Sequence, residues 1–95
     1  MKKLSRVEYD ILNALYFVER YENLVDEVEA EIGVLNDCLK QLIDKKLVAP
    51  LYYNEDAKDY VKTFMYDGDN LNQYAFLATK EGLMLHNNSI IDDEE

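Results

Sequence analysis

Between Leu24 and Leu47 the apolar residues Leu24, Val25, Val28, Ile32, Leu35, Leu39, Leu42, Ile43 and Leu47 recur at steps that alternate between three and four. That spacing is the signature of a helix with one buried face. Pro50 follows three residues later and cannot continue a helix. The chain must therefore leave helix by about Leu47, and Leu47–Tyr53 reads as a strand that Pro50 places at a sheet edge or at a strand start. Two arrangements fit the stretch before it. One is a single helix from about Leu24 to Lys46. The other, which we favour, is two helices with a tight turn near Glu29–Glu31, because Gly33 weakens a continuous helix by about 1 kcal/mol relative to alanine.

The residues around this stretch supply the other elements. Ser5 and Glu8 form a capping box, and Val7, Ile11, Leu15 and Val18 continue at helical spacing, predicting a helix from about Arg6 to Glu19 or Arg20. Tyr9, Tyr16 and Phe17 widen its apolar surface, so a second layer or a second copy should cover them. Asn23 is a candidate cap for the next helix, with Asp26 and Glu27 in its first turn. Asn54–Asp59 (NEDAKD) reads as a polar loop. Tyr60–Tyr66 (YVKTFMY) fits either a helix face or a strand, and its residue types favour strand. Asp67–Asn70 (DGDN) is a turn signal, Gln73–Ala78 a second strand, and Thr79 the cap of a short helix from Lys80 to about Leu85. The expected fold class is α+β, mainly α: a three-helix core, a small antiparallel sheet and a short last helix, in one domain over residues 1–88. The acidic tail 89–95 should fray.

Composition bounds the function. Hydrophobic residues make up 48% of the chain, enough for a packed core. Twenty acidic residues against ten basic ones give a formal charge of −10. Such a chain is repelled by phosphate backbones and attracted to basic partners. The lone cysteine, Cys38, cannot form an internal disulfide and fits a reducing compartment. MKKLSRVEYD lacks the apolar run of a signal peptide, and no stretch approaches the roughly 20 residues of a membrane span, so a cytoplasmic, membrane-free protein is expected.

Enzyme chemistry has little to build on. His86 is the single histidine, and its place near a helix end favours a solvated role. DGDN begins like a calcium loop, but Leu71, Asn72 and Ala78 stand where the pattern needs a ligand, a glycine and a bidentate glutamate. No glycine-rich phosphate loop is present among three glycines. The expectation is a non-enzymatic protein without metal or cofactor.

Two segments resemble the winged-helix superfamily, particularly small bacterial regulators of the MarR and PadR type. LKQLIDKKLV (Leu39–Val48) is similar to the end of a recognition helix feeding a wing strand. YAFLATKEGLML (Tyr74–Leu85) is similar to the strand-to-helix corner written Y-x-L-T-x-x-G, with Thr79 and Gly82 keeping the T-x-x-G spacing. Lys46 stands where that family usually has the glycine that ends the helix in a left-handed conformation. The region between the two segments is also longer than a minimal wing. The resemblance implies a dimeric transcriptional regulator that contacts DNA through Asn36, Lys40, Lys45 and Lys46, with Lys2, Lys3 and Arg6 assisting on the backbone.

The charge pattern points elsewhere. From Asp26 to Asp37 there are five acids and no base, and both candidate wing tips are acidic. DNA affinity rests largely on Lys and Arg neutralising phosphates. The alternative is an interaction module that has lost DNA binding and meets a basic protein partner through Glu29, Glu31 and Asp37, with Tyr9, Tyr16 and Phe17 as anchors.

Overall fold

The fold is seen in a computed structural model that describes residues 3–63 and 65–92. A short strand β1 (Lys3–Ser5) leads into helix α1 (Arg6–Ala14). The capping box at their junction is complete: Glu8 N–H donates to Ser5 Oγ at 3.2 Å, and Ser5 N–H donates to Glu8 Oε1 at 2.9 Å. α1 stops well short of the predicted Glu19 or Arg20. After Leu15 the chain turns out of the helix, and the Leu15 carbonyl accepts from Ala78 N–H at 2.9 Å. Glu19–Arg20 then form strand β2. No glycine or proline marks this break; the sheet bonds that β2 gains replace a further turn of helix.

Helix α2 (Tyr21–Glu27) starts two residues before the proposed Asn23 cap, and its N-cap is Arg20. Asn23 instead donates through Nδ2 to Glu19 Oε1 at 3.4 Å. Helix α3 (Ile32–Asp44) follows a break at Val28–Glu31, so the two-helix arrangement is the one that forms. α3 ends with Lys46 N–H bonded to the Ile43 carbonyl and Leu47 N–H bonded to the Leu42 carbonyl, both at 2.9 Å. This is a Schellman closure, and it puts Lys46 at φ 64°, in the left-handed region that favours glycine. Lys46→Gly should therefore raise unfolding stability by about 1 kcal/mol, read from urea denaturation.

The sheet has the order β2–β5–β3–β4, with strands β3 (Val48–Asn54), β4 (Asp59–Lys62) and β5 (Ala75–Ala78), and every pairing is antiparallel. The expected hairpin between Tyr60–Tyr66 and Gln73–Ala78 is not made. β4 folds back onto β3 through the Asn54–Lys58 turn, where Asn54 Oδ1 accepts from the N–H groups of Asp56 and Ala57. β5 pairs with the other edge of β3, and Asp67–Asn70 leads into a 3-10 turn at Leu71–Gln73. Strand continues only to Lys62 within the Tyr60–Tyr66 stretch, and Phe64 lies outside the described residues. Pro50 sits in an inner strand rather than at an edge. Its carbonyl accepts from Thr63 N–H, so its missing donor faces the point where β4 has already ended.

Helix α4 (Lys80–Asn88) begins at the expected cap and runs three residues past Leu85. Thr79 Oγ1 accepts from Gly82 N–H at 3.1 Å and donates to the Lys46 carbonyl at 2.8 Å, tying the start of α4 to the end of α3. The tail does not begin to fray at residue 89: Ile90–Asp92 form strand β6, parallel to β1. Residues 93–95 lie outside the described residues. One hydrophobic cluster joins Ile11, Leu12 and Leu15 of α1 and its end to Leu24, Leu35, Leu39, Leu42 and Phe76. Among the described residues the architecture is α+β, with four α-helices against a four-stranded antiparallel sheet, and no helix is long and apolar enough to cross a membrane.

Candidate functional site

α3 buries Leu35, Leu39 and Leu42, which turns Val34, Asp37, Gln41 and Asp44 outward. Asn36 and Lys40, the proposed base readers, lie to one side of that outer face and are only half exposed. Asn36 Oδ1 accepts from the Tyr21 hydroxyl at 2.7 Å. A Cβ placed on Gly68 would lie 3.3 Å from Lys40 Cδ, so the lysine stem runs along the Asp67–Asn70 turn. Leu71, 4% exposed, anchors this segment in the core cluster. A hollow of about 150 Å³ beside Asn36 is lined by Tyr21, Gly68, Asp69, Leu71 and Asn72, none of them basic.

The turn is held by its own acid. Asp67 accepts from Asn70 Nδ2 at 2.6 Å and from Asp69 N–H at 3.0 Å, and these bonds, the Asn70 side chain first, lower its pKa. A carboxyl depressed in the folded state stabilises its surroundings above its ordinary value of 3.8 and loses that effect as pH falls through the lower folded value. Amide exchange at Asp69 and Asn70 should therefore quicken relative to the sheet as pH is lowered through that range.

The other proposed DNA contacts are dispersed. Lys45 is exposed at the C-cap of α3, and Lys46 forms the left-handed corner beyond it. Arg6 is exposed at the first residue of α1. Lys3 belongs to β1, and Lys2 lies outside the described residues.

The acidic residues gather more closely. Asp10, Asn13 and Ala14 of α1, Phe17 and Glu19 after it, and Asp26, Glu27 and Glu29 around the end of α2 line an open concavity of about 530 Å³. Five carboxylates face it and no cation does. Phe17 stands in it 77% exposed. Arg20, the nearest arginine in sequence, pairs with Glu22 at 3.0 Å. Among the described residues no three His, Cys, Asp or Glu side chains are placed to hold one metal ion, so these carboxylates surround a volume rather than converge on a point.

Of the proposed partner residues, Phe17 and Glu29 belong to this concavity. Glu31 is exposed at the N-cap of α3, and Asp37 lies on the outer face of that helix. Tyr9 is half-buried and Tyr16 exposed. Their rings pack on His86, with centroids at 4.2 and 5.3 Å. His86 is 8% exposed rather than solvated. The Tyr16 hydroxyl donates to Asn87 Oδ1 at 2.9 Å, which leaves His86 Nδ1 to donate to the Tyr16 oxygen across 2.8 Å. Cys38 is half-buried, and its thiol pKa is raised by burial first and then by Glu8 and Asp37, which disfavours a thiolate.

The sequence reading missed Asp10 and Glu19. Asp10, Asn13 and Ala14 share one face of α1 and Phe17 continues their spacing of three and four, so a helical wheel groups them. Glu19 carried no such signal, because it was assigned to a helix that ends before it. Comparison with family models, with curated proteins and with solved structures returned no match.

Proposed function

We propose that this chain is a winged-helix protein that binds a basic protein partner through the acidic concavity around Phe17, and that its α3 no longer reads DNA. The winged-helix reading is supported by the chain order α1–β2–α2–α3–β3–β5, with β2 and β3 on either side of β5 and the α3 end closed at Lys46. In this reading the β4 hairpin and the Asp67–Gln73 segment are an enlarged wing, folded back beside α3.

The observation that carries the functional reading is the concavity itself. It sets five carboxylates and one exposed aromatic ring against open solvent on a chain of charge −10. Lysine and arginine side chains suit both features. Their ammonium or guanidinium groups pair with carboxylates, their aliphatic stems cover an aromatic ring, and a cation over a ring face gains a further attraction. Charge of one sign also speeds encounter with a partner of the other sign.

DNA reading by a dimer is what the winged-helix resemblance implies. Against it stand the Tyr21–Asn36 bond, the acidic segment along Lys40 and the outward Asp37 and Asp44. The test is backbone NMR titration with a short peptide of alternating lysine and glycine. Shifts should concentrate on Asp10–Glu19 and Asp26–Glu29. Shifts centred on α4 or the β3–β4 hairpin would contradict the site.

A further inference from the structure

A second concavity, of about 370 Å³, opens on the other side of α3's end, between that end, β3 and the segment leaving β4. Its surface is mainly aliphatic. Ile43, Ala49 and Tyr66 are its half-exposed apolar residues, while Val48 and Pro50 in the lining are themselves buried. Lys46 and Lys62 stand at its rim. Both are exposed, and neither has an ion pair or side-chain hydrogen bond among the described residues. Asp44 is the one carboxylate in the lining, so two ammonium groups face a single negative charge. The rim is thus locally cationic on a chain whose overall balance is strongly acidic.

Lys46 adds a second, independent observation. It occupies a left-handed position at φ 64° where glycine would relieve strain. Its side chain makes no hydrogen bond or ion pair among the described residues, and it lines this groove.

We infer that the groove binds a small aliphatic carboxylic acid, with the apolar body against Ile43, Ala49 and the Tyr66 ring and the carboxylate between Lys46 and Lys62. The volume falls within the range of small-molecule sites, roughly 300–1,000 Å³. The Thr63 and Thr79 hydroxyls already donate to the carbonyls of Met65 and Lys46. The two ammonium groups and the Tyr66 hydroxyl are therefore the side-chain donors left to choose the headgroup, and the ammonium charges favour an anion. This site is separate from the acidic concavity and does not depend on the partner proposed for it.

The experiment is NMR titration of the whole chain with 4-methylpentanoate, with 4-methyl-1-pentanol, 4-methylpentylamine and acetate as parallel probes. The pentanoate should give saturable shifts at Ala49, Thr63 and Tyr66. The alcohol and acetate should bind more weakly, each lacking one half of the recognition, and the amine should bind least. Lys62→Gln should weaken pentanoate binding about threefold, the value of one exposed charge contact. Lys46→Gly should weaken it similarly while making the fold more stable, so loss of binding cannot be read as loss of folding. Lys45→Gln, outside the lining, should change nothing. Equal binding of the amine, unchanged binding in Lys46→Gly, or no saturable shift would each overturn the inference.

Discussion

Gly82→Ala is expected to destabilise the fold by about 3 kcal/mol, the upper range for forcing an extra carbon into a packed interior. α4 crosses the chain at Leu47 so closely that a Cβ on residue 82 would stand 2.1 Å from the Leu47 carbonyl oxygen and 3.0 Å from its carbon. Neither side can yield cheaply. The Leu47 amide closes α3 onto Leu42, and the Leu47 carbonyl accepts from Thr79 N–H at 3.0 Å. Behind them Leu12 is fully buried, with Cδ2 at 3.3 Å from the same added carbon. Urea denaturation measures the effect. Gly33→Ala is the control, because a Cβ there meets nothing within 4 Å and alanine favours helix. A cost at residue 82 no larger than that of an ordinary surface change would mean that α4 does not rest on Leu47.

The second large effect concerns binding. The triple change Asp26→Lys, Glu27→Lys, Glu29→Lys should weaken binding of the lysine–glycine peptide by at least about tenfold, from three exposed charge contacts of roughly 0.2–1 kcal/mol each plus the new repulsion. Each reversal adds two charges, so three move the chain from −10 to −4. A matched reversal of Glu55, Asp56 and Asp59 on the β3–β4 hairpin makes the same change in net charge away from the concavity. If that control weakened the peptide equally, attraction would come from the whole chain and the concavity would have no special role. These side chains lie at the surface, so both variants should fold, which unchanged denaturation profiles would verify.

Local and long-range forces disagree at several points along this chain. The capping box at Ser5 and the Thr79 cap were legible because each is set by neighbours within a few residues. The same holds for the break between α2 and α3. The early end of α1 was not legible, since Val18 keeps helical spacing and only the pairing of Glu19 with Phe76 reveals a strand. DGDN was correctly a turn, but a turn residue does not say which strands it joins. β3 met β4 through Asn54–Lys58 instead. β6 went unread for a similar reason: its partner, β1, lies at the other end of the chain.

The site divides along the same line. Glu29 and Phe17 follow from charge and exposure, while the rings of Tyr9 and Tyr16 pack on His86, a contact spanning seventy residues between Tyr16 and His86. Asn36 looked free on a helix surface until Tyr21 reached it. Helical spacing identifies which residues share a face. It does not identify what another segment lays across that face, and here the Asp67–Gln73 segment lies beside α3.

The most direct measurement is fluorescence anisotropy of two labelled probes titrated with the protein at low salt and again at higher salt. One probe is a random-sequence DNA duplex, and the other is the lysine–glycine peptide. The peptide should bind at low salt and weaken as salt screens the carboxylates, while the duplex should not bind at either. Duplex binding at low salt that falls steeply with added salt, with no binding of the peptide, would contradict the account and return α3 to the role of a DNA reader.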